Sequence, residues 1–537
     1  MKNLRRVTQG IFLLLFLFLF LQTESKGTDE LGYPVKLFLE FNPLIFITTL
    51  FSAHAVQKAF YFSLIIIAAT VILGRVFCGW VCPLGTLNNM TASIKKWRPG
   101  SGGRQWHRVK YYILIFLVVS SVFTLQLTGI MDPISLLIRS LSVSFYPLFN
   151  FSVRAFFDTI YDLNPGGIVD ISESVYSVLK KSVLSFNQPV FNQGAFIGLL
   201  FFIVLGLNLM EKRFWCRHLC PLGALLGILS RHSLLKRSVS EGCNECGLCS
   251  PVCQGSADPD KKQGWRSAEC MYCWNCDDIC PQNAVSFGLA PFDRKSGQGF
   301  LTGFFKKTTG AGMDLGRRRV ITAMLSGAFA VPLLKITPLS KSNVLTPKLI
   351  RPPGALDEKE FLKRCVKCSE CMKVCITNGL QPTFLEAGLE GIWSPVLVPL
   401  IGYCEFRCTL CGQVCPTGAI EELPLEKKME VKLGLAMIDT SRCLPYAHAT
   451  SCIVCEEVCP TPRKAIWFES AKVKNRQGSV IDMKQPRVDL ELCIGCGICE
   501  TKCPVKSLPA IYVTNIGESR SKKNRLLLAS QEINGRA

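Results

Sequence analysis

Eight cysteines between Cys243 and Cys280 constrain this chain more than any other feature. They read CNECGLCSPVC, then sixteen residues, then CMYCWNCDDIC and Pro281, so that CxxCxxCxxxC occurs twice. A [4Fe-4S] cube has four iron corners. Two-residue gaps let one tight turn supply three thiolates, and the fourth must come from elsewhere. Exchange of the fourth ligand pairs Cys243, Cys246 and Cys249 with Cys280, and Cys270, Cys273 and Cys276 with Cys253. Zinc also binds CxxC pairs, but four consecutive cysteines at this spacing, duplicated, favour the cluster. Gln254 stands where proline usually follows the last cysteine, which leaves the ligands intact.

The remaining cysteines extend this pattern. All 28 fall into blocks, six of four and two of two, with no leftover pairs for a disulfide framework. They read as metal ligands assembled in a reducing compartment. A chain of 537 residues holds several domains, and 49% hydrophobic content points to a membrane. The net charge of +21 would suit nucleic acid, but the basic residues cluster beside apolar segments, where they set membrane orientation. Nucleic-acid binding is therefore the weaker reading.

The fold class expected is multidomain: an α-helical membrane domain followed by α+β ferredoxin-like [4Fe-4S] domains. The boundaries are 1–235 for the membrane domain, 236–290 for a two-cluster domain, 291–338 for a linker with a membrane helix, 339–516 for a four-cluster domain and 517–537 for a mobile tail. Ile11 to Leu21, after Arg5 and Arg6, is a secretory h-region or, with no clear cleavage site behind it, a retained helix. Leu44 to Val56 is too short to cross and reads as interfacial. Ala59 to Val76 runs inward, and Lys95, Lys96, Arg98, Arg104, Arg108 and Lys110 mark the cytoplasmic side. Tyr111 to Ile130 runs outward, Met131 to Asn192 with its NPGG turn lies outside, and Ala195 to Met210 returns.

These segments form a repeat. Asn42-Pro43-Leu44 leads to Arg75, Cys78, Cys82, Pro83, Leu84 and Gly85, and Asp132-Pro133-Ile134 leads to Arg213, Cys216, Cys220, Pro221, Leu222 and Gly223. A duplicated unit with both CxxxCP ends on the cytoplasmic face follows. Its four thiols could hold a further cluster, act as redox thiols, or simply be buried at two helix ends.

After a Gly, Lys and Phe-rich stretch (Arg294 to Gly312), Arg317, Arg318 and Arg319 precede a modest apolar run. This looks like an internal twin-arginine export signal, a route that carries folded, cluster-loaded domains; an ordinary anchored helix or an amphipathic linker are the alternatives. Four more blocks follow: Cys365, Cys368, Cys371, Cys375; Cys404, Cys408, Cys411, Cys415; Cys443, Cys452, Cys455, Cys459; and Cys493, Cys496, Cys499, Cys503. Blocks two and three lengthen the first interval, as loop insertions would. Six clusters are expected in all. The tail with Lys522, Lys523 and Arg525 has no assignable role.

Paired CxxxCP motifs followed by two cluster motifs resemble NapH-type membrane ferredoxins, and the arginine signal, RPPGAL (Arg351 to Leu356) and four cluster motifs resemble NapG/MauM-type exported ferredoxins. The whole resembles a NapH-NapG fusion. The resemblance implies a quinol dehydrogenase module in a bacterial or archaeal cell membrane, drawing on membrane lipid and the quinone pool and serving a partner oxidoreductase, with residues 339–516 outside the cytoplasm. It also implies nested ligand sharing: Cys365, Cys368 and Cys371 with Cys503, Cys493, Cys496 and Cys499 with Cys375, Cys404, Cys408 and Cys411 with Cys459, and Cys443, Cys452 and Cys455 with Cys415. Spacing alone leaves sequential pairing open. No flavin domain like that of the related NosR is found, and no nucleophilic triad, carboxylate motif or P-loop marks a substrate site. Electron transfer from quinol is the leading function, and a redox-sensing or metalloenzyme maturation factor is the rival. His54 and His218 are either polar flanks or aids to quinol deprotonation.

Overall fold

Asn42 and Asp132, the starts of the two repeat copies, cap helices in the same way and touch each other. Each precedes a proline at the first helical position, where the missing N–H costs no hydrogen bond. The Asn42 side chain accepts from the Leu44 N–H to open the helix Pro43–Ala53, and Asp132 accepts from the N–H groups of Ile134 (3.1 Å) and Ser135 (2.9 Å) to open Pro133–Ser140. Asn42 Nδ2 then donates to Asp132 Oδ1 at 2.6 Å, with both residues fully buried. The duplication seen in sequence thus has a physical join.

This computed structural model describes all residues except 26–28, 34, 55–57, 95–105, 164–167, 260–264, 290–315, 336–346, 475–477, 506 and 522–537. Lys95, Lys96, Arg98, Arg104, the NPGG turn, the Gly, Lys and Phe-rich linker, Lys522, Lys523 and Arg525 lie outside the described residues. The chain divides into two compact units, each discontinuous in sequence. The first comprises Met1–Gln22, Pro34–Leu141 and Ala195–Leu333, and the second Thr23–Tyr33, Ser142–Gly194 and Leu334–Ala537.

The first unit is mostly apolar helix. Among the described residues two helical stretches, Lys2–Gln22 in this unit and the 31-residue Pro133–Leu163, which starts in it and continues into the second from Ser142, are long and apolar enough to cross a bilayer. The apolar length of the second differs from the sequence reading of Met131 onward as mostly polar, since Arg139, Arg154 and Asp158 interrupt the run and disguise it; 67% of its most apolar window is buried inside the protein, as in a core helix. Ala59 to Val76 and Ala195 to Met210, read as spans, contain only the shorter apolar helices Phe60–Leu73 and Gly194–Leu209. The helix Arg317–Lys335 is not among the two long apolar stretches. It packs on Val109–Val122 at Gly327, whose carbonyl accepts from Ser120 Oγ at 3.3 Å. A Cβ at Gly327 would stand 2.9 Å from the Phe116 carbonyl oxygen, so the close helix approach requires glycine. Between the antiparallel strands Leu235–Val239 and Val285–Leu289 sits the first pair of cysteine runs.

Among the described residues the second unit carries three two-stranded antiparallel sheets: Leu380–Pro382 with Pro395–Leu397, Leu435–Ile438 with Ile511–Thr514, and Ile466–Lys474 with Val480–Val488. RPPGAL is explained by packing. Arg351 is buried, donating to the Ser394 hydroxyl (2.9 Å), the Pro395 carbonyl (2.6 Å) and Glu358. Gly354 has φ +79, and a Cβ there would meet the Glu421 carbonyl oxygen at 2.5 Å. The two upstream segments are built into this unit. Asp29 accepts from the Thr409 N–H (2.7 Å) and hydroxyl (2.8 Å), Lys373 donates to the Thr23 carbonyl at 2.7 Å, Asn378 to the Val190 carbonyl at 2.6 Å, and Trp393 Nε1 to Gln193 at 2.9 Å.

Candidate iron-sulfur centres

Both CxxxCP motifs take one shape. Phe77–Val81 and Trp215–Leu219 are single π-helical turns, a form common at functional sites. Each ends at a cysteine that caps the next helix through sulfur: Cys82 accepts from Gly85 N at 3.4 Å and Cys220 from Gly223 N at 3.2 Å. The copies then cross over. Arg213 donates to the Cys78 carbonyl at 3.1 Å, Asn88 Nδ2 lies 4.0 Å from Cys216 Sγ, and Arg75 Nη2 sits 2.8 Å from where a Cβ at Gly223 would be. All four thiols are buried, and Arg75 and Arg213, both fully buried, each keep Nε and Nη2 without a hydrogen-bond partner. One site made by both copies therefore combines four sulfurs with two guanidiniums. A buried cation needs an anionic partner; Glu269 supplies one to Arg75 at 3.4 Å, and the sulfurs, deprotonated as cluster ligands, would supply it to both.

The first pair of cysteine runs abuts this site. A Cβ at Gly79 would lie 2.4 Å from the Met271 carbonyl oxygen, Trp80 Nε1 donates to the Tyr272 carbonyl at 2.9 Å, and Arg213 Nη1 reaches Met271 Sδ at 3.2 Å. Cys253 is the electrostatic neighbour of Cys270, Cys273 and Cys276, as ligand exchange requires. Cys253 Sγ accepts from Ala257 N (3.3 Å) and Cys280 Sγ from Ala284 N (3.4 Å), giving the two fourth ligands equivalent settings.

The sequence reading missed a buried charge cluster beside these runs. Lys110, taken as a marker of the cytoplasmic surface, is fully buried and ion-paired with Glu269, which also accepts from Tyr111 OH at 2.8 Å and lies 3.4 Å from Arg75 Nη1. Burial would raise the Glu269 carboxyl, but Lys110 and Arg75 outweigh it and hold the group below its ordinary value. Its one sequence signal was position, immediately before Cys270. His218 is 1% exposed, lies 2.6 Å from Glu211 Oε2 and has its ring 4.7 Å from that of His107. It is built into the interior and is no polar flank. His54 ends the helix Pro43–Ala53 at φ 52.

In the second unit, three cavities gather four cysteines each. Cys375 lines one with Cys404, Cys408 and Cys411; Cys503 lines another with Cys443, Cys452 and Cys455; and Cys459 lines the third with Cys493, Cys496 and Cys499. Cys415 is the one cysteine outside the first block that acts electrostatically on all of Cys365, Cys368 and Cys371. The blocks thus exchange fourth ligands one with two and three with four. This corrects the nested sharing implied by resemblance. The helical turn Glu370–Lys373 packs on Leu410–Gln413, and Val454–Glu457 on Ile498–Thr501, which puts neighbouring blocks together. The extra residues in CxxxC and in the nine-residue step are absorbed without loss of the set.

These sets fit [4Fe-4S] groups. Every one offers four sulfurs, and fourth ligands also sit beside hydroxyls: Thr377 3.6 Å from Cys375, Thr417 3.9 Å from Cys415 and Thr461 3.2 Å from Cys459. Among the described residues no three His, Cys, Asp or Glu converge tightly enough to grip one ion, whereas a four-iron cube spaces its ligands more widely. Bound clusters would supply one-electron carriers at potentials set by burial and by hydrogen bonds to sulfur.

Repeated thiol sets on small two-stranded sheets define a ferredoxin-type iron-sulfur protein for electron transfer. A profile of the 4Fe-4S binding domain family matches residues 59–100 and 193–240, covering both CxxxCP motifs, and another of that description matches 486–508. Over part of its length the chain belongs to the MauM/NapG family of ferredoxin-type proteins. It is 36% identical over 160 residues to the methylamine utilization ferredoxin-type protein MauM of Methylorubrum extorquens, covering 29% of this chain and 68% of that one. To the ferredoxin-type protein NapG of Escherichia coli it is 34% identical over 166 residues, 30% of this chain and 69% of the other. The YccM protein of Escherichia coli is 27% identical over 250 residues, 44% of this chain and 57% of YccM. No solved structure matches the chain.

Proposed function

We propose that the protein is a NapH-NapG-like fusion in a multi-pass membrane setting that takes electrons from quinol and passes them to a partner oxidoreductase outside the cytoplasm. The observation that carries this reading is the composition of the second unit. Thr23–Tyr33 continues from the apolar helix Lys2–Gln22, and Ser142–Gly194 leads to the apolar helix Gly194–Gly206; both fold with the four cysteine blocks. Charge bias places these segments opposite the CxxxCP ends and the basic stretch that includes Arg108. The blocks would then share the outer side with them, and Arg317–Lys335 would supply the crossing that its three arginines suggest. The sulfur-guanidinium site formed by the repeat, packed against the first cysteine pair, is the place where membrane-side redox chemistry would meet the thiol sets.

Stopped-flow reduction of the anaerobically purified full chain by a menaquinol analogue tests the donor: clusters that dithionite reduces but quinol leaves oxidised would refute it. A reporter fused after Ser342 that is active only outside the cytoplasm tests the side, and an inactive, well-expressed fusion would move the partner to the cytoplasm.

A further inference from the structure

We infer that the four ligand sets of the second unit form a row in the order first, second, fourth, third, so that the sets of Cys365 and Cys443 are its two ends and sequence order is not electron order. This rests on the reading of the chain as an electron carrier, and refines it by naming the end sets.

Three junctions carry the inference. The first and second sets are joined by ligand exchange, Cys375 serving the second set and Cys415 the first, with their helical turns packed together. The third and fourth sets are joined the same way through Cys459 and Cys503. The link between these pairs runs from the second set to the fourth. Cys404 N donates to the Cys496 carbonyl at 2.8 Å, so ligands of the two sets share a backbone hydrogen bond.

Flanking contacts fix that junction. Thr501 Oγ1 donates to the Pro399 carbonyl at 2.6 Å, and Leu433 N to the Ile494 carbonyl at 2.8 Å. Gly497, at φ +88, lies where a Cβ would be 3.0 Å from Pro399, and Gly495, at φ +68, where one would be 2.5 Å from the Gly434 carbonyl oxygen. Both glycines sit inside the CIGCGIC run, and their left-handed backbone lets the fourth set press, through Gly497, against the segment leading to Cys404 and, through Gly495, against Gly434, next to Leu433 of the second set's cavity. One segment passes the three sets in turn, Leu433 lining the cavity of the second, Ala436 that of the fourth and Ile438 that of the third, so the third set lies beyond the fourth from this junction.

The test uses the full chain, reduced with dithionite and observed by low-temperature EPR, where reduced neighbouring clusters split each other's signals. A Cys452→Ala/Cys455→Ala variant removes the third set, and Cys496→Ala/Cys499→Ala the fourth. The row requires that loss of the third set alter the splitting of one remaining cluster, and that loss of the fourth alter two and leave the third unsplit. Because cluster loss can unfold a domain, Cys443→Ser and Cys493→Ser, where a serine oxygen can keep the cluster and shift its signal, repeat the comparison. The shifted signal must show one coupled neighbour in the former and two in the latter. Coupling of the third set to the first or second, in either series, overturns the order. A chain whose signals obey the row but resist quinol would refute the donor alone, leaving the order intact.

Discussion

Thr461 is the most informative side chain to change. Its hydroxyl oxygen lies 3.2 Å from Cys459 Sγ and also accepts from the Ala465 N–H at 3.2 Å, with Thr461 and Cys459 both buried. Because Ala465 occupies a lone pair of the oxygen, the hydroxyl proton is free to point at sulfur. A hydrogen bond to sulfur stabilises the more negative, reduced cluster and so raises its potential. A bond contributing about 1 kcal/mol corresponds to about 40 mV for one electron, since a tenfold change, 1.4 kcal/mol, equals 59 mV. Thr461→Val keeps the volume and every ligand, and should lower one midpoint by roughly that amount. It should also cost about 1–2 kcal/mol of stability, because Ala465 loses its acceptor. EPR-monitored redox titration reads the shift. The cluster that moves must be the one held by Cys493, Cys496 and Cys499, identified by the signal that Cys493→Ser changes. An unmoved midpoint, or movement of the cluster held by Cys404, Cys408 and Cys411, would refute the reasoning.

Other substitutions probe different links. Cys503 has Val505 two residues on, where the other three fourth ligands of the second unit have threonine; Val505→Thr should therefore raise the midpoint of the third set in the same titration. Glu358 faces Arg351 at 2.5 Å and Arg520 at 2.9 Å. Burial alone would raise its carboxyl, but the two guanidiniums hold it below the ordinary value, so its contribution is complete above the unfolded carboxylate range and fades as pH falls through the lower folded value. Glu358→Gln should cost about 3 kcal/mol at neutral pH and flatten the acid limb of thermal stability; an unchanged melting profile would contradict the pairing. Gly402→Ala would set a Cβ 2.0 Å from the Thr377 carbonyl oxygen, beside Cys375 and Cys404. The expected result is loss of about four iron per chain, and full iron content would show that the loop can give way.

The cluster ligands were legible because three-thiolate turns need short, fixed gaps, and those gaps survive in four of the six blocks of four, with only the first interval lengthened in the other two. The repeat was legible for a similar reason, since Asn42 and Asp132 cap proline-led helices and Cys82 and Cys220 cap glycine-tuned ones. Ligand pairing was not legible, because it depends on which turns pack together, and resemblance pointed to a nested arrangement that the cavities do not show. Lys110 illustrates a second limit: a lysine next to an apolar run reads as a surface marker, and only tertiary structure reveals Glu269 opposite it. The stretch Pro133–Leu163 shows a third, since scattered charges within a helix mask apolar length when the sequence is read linearly.

Iron and acid-labile sulfide counted per chain in anaerobically purified protein test the central claim most directly. Six four-iron groups predict about 24 of each, or about 28 if the sulfur-guanidinium site also holds one. Zinc in place of iron, or a count far below about 24 in protein that is otherwise folded, would contradict the account of the chain as a multi-cluster electron carrier.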